Sequence, residues 1–283
     1  MRKQRIDLRD KRIVLTGASS GIGRELGLAL AARGATLVLA ARRKDLLDEL
    51  ADQIAASGQP RPIVMPTDLA EPGAAAALGR DAVAALDGIV DVVINNAGAN
   101  LTGPQPLVAD TAAARAVFEV NLWSPLALTA AVLPAMRAAG RGTIVNVTST
   151  VQAVPLPLLG YYAASKAALA QATRSLRLEL AETPLRVLEV VPGSTDTALR
   201  DIDELPWKTT APKTLPPVSP AATAAAVVRA LQRGDARVAY PRYSLLPLEI
   251  PAIGRLVAAI GGRRVDTRGA LQLQTHAERA GLA

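Results

Sequence analysis

The fold is decided by the stretch Arg12-Ile13-Val14-Leu15-Thr16-Gly17-Ala18-Ser19-Ser20-Gly21-Ile22-Gly23. Its first five residues form a mostly aliphatic run typical of a short buried strand, and a helical pattern follows from Ile22 to Arg33. Glycines between a strand and a helix let the backbone approach a bound pyrophosphate and leave N–H donors at the helix start. This order predicts a phosphate-binding loop made of Gly17, Ser19, Ser20, Gly21, Ile22 and Gly23.

Strand-like and helix-like segments alternate along the rest of the chain. Further strands are predicted at Thr36–Ala41, Ile63–Met65, Val92–Ile94, Thr143–Val147, Val187–Val191 and Arg237–Tyr240. Helices are predicted at Lys44–Ala56, Ala74–Leu86, Thr111–Ala139, Tyr162–Glu182 and Ala221–Arg233. The alternation predicts an α/β fold with a Rossmann-type, doubly wound parallel sheet of about seven strands. We expect one domain over residues 1–283, with a core over 11–241 and a C-terminal extension over 242–283.

Composition excludes several classes of site. The chain has no cysteine, and its one histidine is His276, so thiolate catalysis, a histidine triad and a metal site are not expected. The formal charge of +7 is not accompanied by stacking aromatic side chains, so we expect no nucleic-acid partner. There is no apolar signal-peptide core before Arg9 and no uninterrupted apolar run of about 20 residues, which favours a cytoplasmic protein.

Two residues of one predicted helix form a candidate acid/base pair. Tyr162 and Lys166 are four positions apart, so their side chains share a helix face. A lysine ammonium close to a phenol favours the phenolate and lowers the tyrosine pKa from its usual value of about 10. Tyr161 is a competing candidate, but the residue four positions after it is Ser165. The lysine spacing therefore selects Tyr162 as the proton donor or acceptor.

The order of these motifs resembles the short-chain dehydrogenase/reductase family, in its single-domain branch. The loop spacing is Gly-x-x-x-Gly-x-Gly, and the resemblance covers Lys11 to about Tyr240. The other motifs that carry it follow in the family's order: Asp68-Leu69, Asn95-Asn96-Ala97-Gly98, Asn121, Ser149, Tyr162-x-x-x-Lys166 and Pro192-Gly193. The resemblance implies a nicotinamide-dependent oxidoreductase that interconverts an alcohol and a ketone or aldehyde by hydride transfer.

The resemblance also implies roles for individual residues. Ser149 would orient the substrate oxygen, and Asn121 would distort its helix and hold a water that links the lysine to solvent. Lys166 would also bind the nicotinamide ribose. Contacts with the adenosine half are implied for Asp68, Leu69, Asn95, Ala97 and Gly98, and contacts with the carboxamide side for Pro192, Gly193, Thr195 and Thr197. The family's habits further imply a homodimer or tetramer that pairs the helices Thr111–Ala139 and Tyr162–Glu182.

The end of the second strand favours NADP(H) over NAD(H). It reads Ala40-Ala41-Arg42-Arg43-Lys44, with no carboxylate where an NAD-binding chain holds the ribose 2′-hydroxyl. A guanidinium such as that of Arg42, supported by Arg43, suits a 2′-phosphate and can also stack on adenine.

Apolar segments around the predicted site indicate a lipophilic alcohol or carbonyl substrate. They are Val151–Leu159, which borders the expected pocket, and the side chains of Leu199, Ile202, Leu205 and Trp207, which we expect to close over a ligand as a lid. The alternative is that these residues pack against the sheet. The stretch Leu245–Ile260 is flanked by arginines and could lie on a membrane surface or cover a subunit interface; packing on the enzyme's own surface is favoured over membrane contact. Its prolines argue against one long straight helix.

Two other functions compete with this interpretation. A non-catalytic NADP-binding sensor or scaffold would share the loop but would have no need of Tyr162. A sugar-nucleotide epimerase or dehydratase would share both, but needs a larger substrate domain than the residues after Pro192 provide.

Overall fold

The computed structural model describes residues 5–197, 205–209 and 217–270. Within them, a single seven-stranded sheet is formed by β1 (Arg12–Thr16), β2 (Thr36–Ala41), β3 (Ile63–Pro66), β4 (Val92–Asn95), β5 (Gly142–Val147), β6 (Leu185–Pro192) and β7 (Arg237–Tyr240). The spatial order is β3-β2-β1-β4-β5-β6-β7, and every pairing is parallel. The predicted Rossmann-type sheet is confirmed.

Helices cover both faces of the sheet. They are α1 (Gly21–Ala31), α2 (Lys44–Ala56), α3 (Ala74–Ala85), α4 (Gln105–Val108), α5 (Ala112–Phe118), α6 (Ser124–Ala138), α7 (Gly160–Glu179), α8 (Pro220–Arg233), α9 (Leu246–Glu249) and α10 (Pro251–Arg264). One aliphatic core lies between the sheet and α1, α2 and α8, and a second lies between the sheet and α3, α6 and α7. Because both faces are buried, the strands read as continuous aliphatic runs.

The predicted helix Thr111–Ala139 is interrupted. A π-helical turn at Glu119–Trp123 separates α5 from α6 and contains Asn121. Over residues 112–138 this unit is long and apolar enough to cross a membrane by length and composition, although we expected no such segment. Half of an apolar 18-residue window within it is buried, and α6 packs on α3 and the sheet, so the core accounts for its apolar character.

The C-terminal stretch Leu245–Ile260 is more helical than its prolines suggested. The segments Arg242–Glu249 and Pro251–Arg264 are both helical and meet at an angle of 102°. The expectation that prolines prevent one long straight helix is confirmed.

The contact between α3 and α6 depends on Gly79. A Cβ added at Gly79 would lie 2.5 Å from the Cβ of Ala131, so the two helices approach more closely than a pair of alanines allows. Overpacking of this kind costs about 1–3 kcal/mol.

We therefore expect Gly79→Ala to lower the free energy of unfolding in the native background by about 1 kcal/mol, since the clash exceeds the gain in helix propensity. In an Ala131→Gly background the clashing atom is gone, and the same change should raise the free energy of unfolding. Urea denaturation of the four proteins measures both effects. The same sign in both backgrounds would contradict the packing described.

Candidate active site

The candidate site residues gather at one edge of the sheet. The strands are parallel, so their carboxyl ends meet there. From β1 the chain builds the sheet outward through β2 to β3, and it then returns to the other side of β1 and continues outward from β4 to β7, so the order of the strands changes direction between the adjacent strands β1 and β4. Ligands of open α/β sheets bind at such a switch point. Thr16 ends β1, Asn95 ends β4, Pro192 ends β6, and Ser149 lies two residues past the end of β5.

The glycines of the first loop are required by close backbone approach. A Cβ on Gly23 would lie 2.1 Å from the carbonyl oxygen of Gly17, and a Cβ on Gly17 would lie 2.7 Å from the Cα of Ala97. Gly17 and Gly21 also have positive φ angles, of 66° and 54°, which side chains disfavour. The Ser20 side chain does not cap α1. The loop thus forms a cradle with backbone donors at a helix start, which fits a pyrophosphate.

Thr16 and Asn96 hold this loop against the end of β4. The Thr16 hydroxyl donates to the carbonyl oxygen of Ile94 and accepts from the backbone N–H groups of Asn96 and Ala97. The Asn96 amide donates to the carbonyl oxygens of Thr16 and Gly17 at 3.0 and 3.2 Å. Asn96 belongs to the Asn-Asn-Ala-Gly motif, but its role in holding the loop is not predicted by the sequence; the asparagine pair after a buried strand is the signal that points to it.

The turn after β6 closes the other side of the loop. A Cβ on Gly21 would lie 2.9 Å from the Cγ2 of Thr197, so this threonine reaches the glycine loop. The Thr195 hydroxyl donates to the carbonyl oxygen of Gly193, and Gly193 itself donates to the carbonyl oxygen of Tyr240. The carboxamide contacts expected for Pro192, Gly193, Thr195 and Thr197 stay predictions.

Positive charge lies beside the loop at the end of β2. Arg42 and Arg43 are exposed, and Arg43 donates to the Ser19 hydroxyl at 3.2 Å. The Arg42 guanidinium makes no ion pair with any of the residues that the structure describes. Asp68 is exposed after β3, where its carboxylate accepts from the N–H of Ala70. The guanidinium of Arg42 is therefore available to an anion.

Two of the residues predicted to contact the adenosine half of the cofactor have their side chains in the protein core. Asn95 is 3% exposed and donates to Asn146 at 2.8 Å and to the Thr129 hydroxyl at 3.2 Å, which ties β4 to β5 and α6. Leu69 is buried in the core beneath α6. Ala97 and Gly98 are half-buried. Cofactor contacts of all four residues stay predictions, and the Asn95 side chain is already occupied by these partners.

Tyr162 and Lys166 lie in the first two turns of α7, as predicted. Tyr162 is half-buried, whereas Lys166 is 3% exposed and donates from Nζ to the carbonyl oxygen of Val147 at 2.9 Å. Burial lowers the pKa of Lys166 from 10.5 to about 8, because the ammonium loses its hydration. The lysine therefore anchors α7 to the end of β5 and places a positive charge one helical turn from the tyrosine.

The hydroxyl groups of Ser149 and of Tyr161, the residue before Tyr162, each form a hydrogen bond with the backbone. Ser149 is 8% exposed and begins a 3₁₀ turn over Thr150–Gln152, where its hydroxyl accepts from the N–H of Val151. The Tyr161 hydroxyl points elsewhere and donates to the carbonyl oxygen of Ala109. Tyr161 thus has a structural partner, which agrees with the choice of Tyr162.

Asn121, in the π-helical turn, contacts α7 through Ser165, the residue before Lys166. It is fully buried; its amide donates to the carbonyl oxygen of Ala99 and to the Ser165 hydroxyl, and its Oδ1 accepts from the N–H of Ala99. Ser165 in turn donates to the carbonyl oxygen of Tyr162. The expected helix distortion is confirmed. Both side-chain donors of Asn121 already have protein partners, so the water contact implied by the resemblance stays a prediction.

A buried carboxylate that the sequence analysis missed lies below the Ser149 turn. Glu189 in β6 is 1% exposed, and its Oε1 accepts from Thr148 at 3.5 Å and from Gln152 at 3.4 Å. Arg174 in α7 donates to Gln152 and lies 3.7 Å from Glu189. This network joins β6, α7 and the turn that follows Ser149. A glutamate inside the aliphatic run Val187–Val191 was the signal that could have revealed it.

Apolar side chains line the neighbouring surface. A pocket of about 220 Å³ beside the start of α7 is lined by Pro104, Gln105, Pro106, Leu156, Pro157, Leu158, Gly160 and Thr267. Of the expected lid, Leu199 and Ile202 lie outside the described residues. Leu205 is 3% exposed and packs with Leu158, Leu159 and Val265, with Trp207 against the same cluster. For Leu205, packing is therefore the better description.

The low pKa of Lys166 gives a prediction for the cofactor-free protein. In protein labelled with ¹³C at lysine Cε, we expect one resonance to titrate near pH 8. The ammonium should be present below pH 8 and lost above it, because burial penalises the charged form. Absence of the early-titrating resonance in Lys166→Met assigns it. Absence from the native protein of any lysine resonance that titrates near pH 8 would contradict the burial described.

Comparison with known proteins agrees with this geometry. A family model described as short chain dehydrogenase matches residues 11–204. The mouse protein named dehydrogenase/reductase SDR family member 7B is 39% identical over 197 residues, which cover 68% of this chain and 60% of the relative. The 11-beta-hydroxysteroid dehydrogenase 1A of Arabidopsis thaliana is 33% identical over 193 residues, with 68% and 54% coverage. The matched part thus spans less than two thirds of each relative's length.

Solved structures give the same result at the level of the backbone. A metagenomic short-chain oxidoreductase in complex with NADP superposes with a TM-score of 0.68 at 31% identity, covering 82% of this chain and 98% of that one. A short-chain dehydrogenase/reductase from Burkholderia phymatum in complex with NAD has a TM-score of 0.75 at 24% identity, with 89% and 94% coverage, and supports the fold alone. The chain belongs to the short-chain dehydrogenase/reductase family.

Proposed function

We propose that this protein is an NADP(H)-dependent oxidoreductase that interconverts a lipophilic alcohol and the corresponding ketone or aldehyde. The observation that carries the proposal is the buried ammonium of Lys166, one helical turn from Tyr162 and anchored beside the strand that leads to Ser149. A protein that only binds a dinucleotide could use the lysine on the nicotinamide ribose but has no need of Tyr162 beside it. The sensor or scaffold alternative therefore has less support.

In the proposed reaction Tyr162 moves the proton. The Lys166 ammonium favours the phenolate over the phenol, so Tyr162 can release its proton to a carbonyl oxygen during reduction or remove one from an alcohol during oxidation. A bound nicotinamide supplies or accepts the hydride. The Ser149 hydroxyl would donate to the substrate oxygen and hold it near the tyrosine.

Asn121 and Ser165 would act as positioning residues. Ser165 accepts from Asn121 and donates to the carbonyl oxygen of Tyr162, so the first turn of α7 is tied to the π-helical turn. Lys166 ties the next turn to Val147. With both turns fixed, the phenol has little freedom to move away from the substrate oxygen, which lowers the entropic cost of reaching the transition state.

The preference for NADP(H) rests on charge at the end of β2. Arg42 is exposed and makes no ion pair with a described residue, and Arg43 already contacts Ser19 of the loop. An exposed guanidinium beside a phosphate loop favours a 2′-phosphate, and the residues at the end of β2 include no acid that would bind a 2′-hydroxyl. The metagenomic relative was solved with NADP, whereas the Burkholderia protein was solved with NAD.

The lipophilic substrate is supported by the apolar wall beside the site. Leucines and prolines make up most of the 220 Å³ pocket at the start of α7. One relative carries a name that refers to a hydroxysteroid, which is a lipophilic alcohol.

A homodimer or tetramer through α6 and α7 also stays a proposal. Its support is that Trp123, in the π-helical turn before α6, and Leu178, in α7, are 55% and 78% exposed. Large apolar side chains in such positions are often covered by a second subunit.

We expect Tyr162→Phe to abolish turnover of NADPH with ketones while leaving NADPH affinity within about threefold, because the phenol acts on the substrate oxygen in the chemical step. Tyr161→Phe is the matched control and should retain most activity, since its hydroxyl contacts only the backbone at Ala109. Steady-state kinetics and cofactor titration separate the two effects. Retained turnover in Tyr162→Phe would refute the mechanism.

Replacement of Arg42 tests the cofactor preference. We expect Arg42→Ala to weaken NADPH binding by roughly 10- to 100-fold, the range of one or two lost charge-assisted hydrogen bonds, and to leave NADH binding within about twofold. Arg33→Ala removes the same charge at the other end of α1 and should change neither. Isothermal titration with both cofactors provides the measurement. Equal losses for NADPH and NADH would overturn the assignment.

A further inference from the structure

The helix α10 is packed with its small residues inward and its large apolar residues outward. Its buried face contains Gly254 and Gly261, whose added Cβ atoms would lie 2.5 Å from the carbonyl oxygen of Ala153 and 2.8 Å from the Cδ2 of Leu156. Leu256, Val257 and Ile260 are 59%, 40% and 50% exposed. A helix that packs only on its own protein has the opposite arrangement.

The apolar surface continues into the preceding residues. Tyr243, Leu246 and Ile250 are 42%, 49% and 46% exposed. Together with Leu256, Val257 and Ile260 they make up six of the eight large apolar side chains that are exposed among the described residues. We call these six residues the C-terminal apolar surface. Their concentration within one short stretch indicates that something covers them. The expected packing on the enzyme's own surface therefore accounts for only one face of α10.

Arginines alternate in sequence with the residues of this surface. Arg242, Arg255, Arg263, Arg264 and Arg268 are all exposed. Residues 242–270 contain two carboxylates: Glu249 pairs with Arg237, and Asp266 accepts from backbone N–H groups of residues 268 and 269. None of the five guanidinium groups forms an ion pair with a described residue. The stretch 242–268 therefore combines exposed apolar side chains with exposed arginines that have no acidic partner among the described residues.

We propose that the C-terminal apolar surface docks on an anionic lipid bilayer. An apolar helix face that carries arginines matches the acyl boundary and the anionic headgroups of such a membrane. A second copy of the chain fits less well, because a twofold contact through this face would bring the arginines of both copies together. The inference does not depend on the proposed catalytic activity.

The shape of this region specifies a helix that lies in the membrane plane. The 14 residues of α10 extend about 21 Å, which is short of a hydrocarbon core of about 30 Å. The preceding helical segment meets α10 at 102°, so the two do not form one straight span. The other face of α10 packs on residues 153–157, which continue into the wall of the apolar pocket. Docking would thus bring the bilayer to the side of the protein that carries this pocket.

The absence of cysteine allows a direct test with the full chain. Leu256→Cys and Ile260→Cys would each carry a polarity-sensitive dye, and Ala56→Cys at the exposed end of α2 would serve as control. On addition of vesicles of phosphatidylcholine and phosphatidylglycerol in equal amounts, we expect a blue shift at positions 256 and 260 and none at 56. Equal shifts at all three positions, or no shift at 256 and 260, would overturn the proposal.

Vesicle flotation of unlabelled protein tests the two components of the surface. Neutralising Arg255, Arg263 and Arg264 with glutamine should weaken binding by on the order of 100-fold, the sum expected for three interfacial cations. Replacing Arg33, Arg80 and Arg137 with glutamine changes the net charge equally and should have no such effect, because these exposed arginines lie in the turn after α1, in α3 and in α6. Leu256→Gln with Ile260→Gln should weaken binding by at least about tenfold.

Sedimentation equilibrium of the same variants distinguishes a second copy from a lipid surface. We expect Leu256→Gln with Ile260→Gln to leave the mass of the particle unchanged. A reduced mass together with absent vesicle binding would identify a subunit interface and overturn the proposal. Circular dichroism and thermal unfolding, which we expect to match the native protein because both positions are exposed, confirm that the variants fold.

Discussion

The buried ammonium group of Lys166 is the interaction on which the arrangement of the site depends. A charge out of contact with water is costly unless neighbouring groups compensate it. One compensating group is the carbonyl oxygen of Val147, which fixes α7 against β5. A second would be the phenolate of Tyr162, one helical turn away. The same burial that makes the ammonium costly makes its effect on a nearby phenol stronger, because little solvent screens it.

The remaining contacts hold the elements that carry reactive groups. Asn121 and Ser165 fix the first turn of α7 from the side of the π-helical turn. The network around Glu189 fixes the turn that follows Ser149. Asn96 holds the glycine loop against the end of β4, so the phosphate cradle and the acid/base pair share one sheet edge. Each of these sets of hydrogen bonds joins residues that are distant in the chain, because a parallel sheet brings several separate loops together at one edge.

Local patterns predicted the parts of the molecule that depend on neighbouring residues. The aliphatic runs gave the strands to within one or two residues, and the Tyr162–Lys166 spacing placed both residues on α7. Partners across the fold were not readable: Ser165 entered only as the residue that disfavoured Tyr161, yet it links Asn121 to α7. The outward face of α10 was also missed, because the sequence shows which residues are apolar but not which side of a helix a loop will cover.

The proposed function requires hydride transfer between a nicotinamide bound at this sheet edge and a carbonyl carbon. Its most direct test is reduction of a lipophilic ketone by NADPH that carries deuterium at both C4 positions, followed by mass spectrometry of the product. We expect the native protein to form an alcohol with deuterium on its carbinol carbon. Saturable binding of NADPH with no labelled alcohol from any of a panel of aliphatic, aromatic and steroid-like ketones would contradict it.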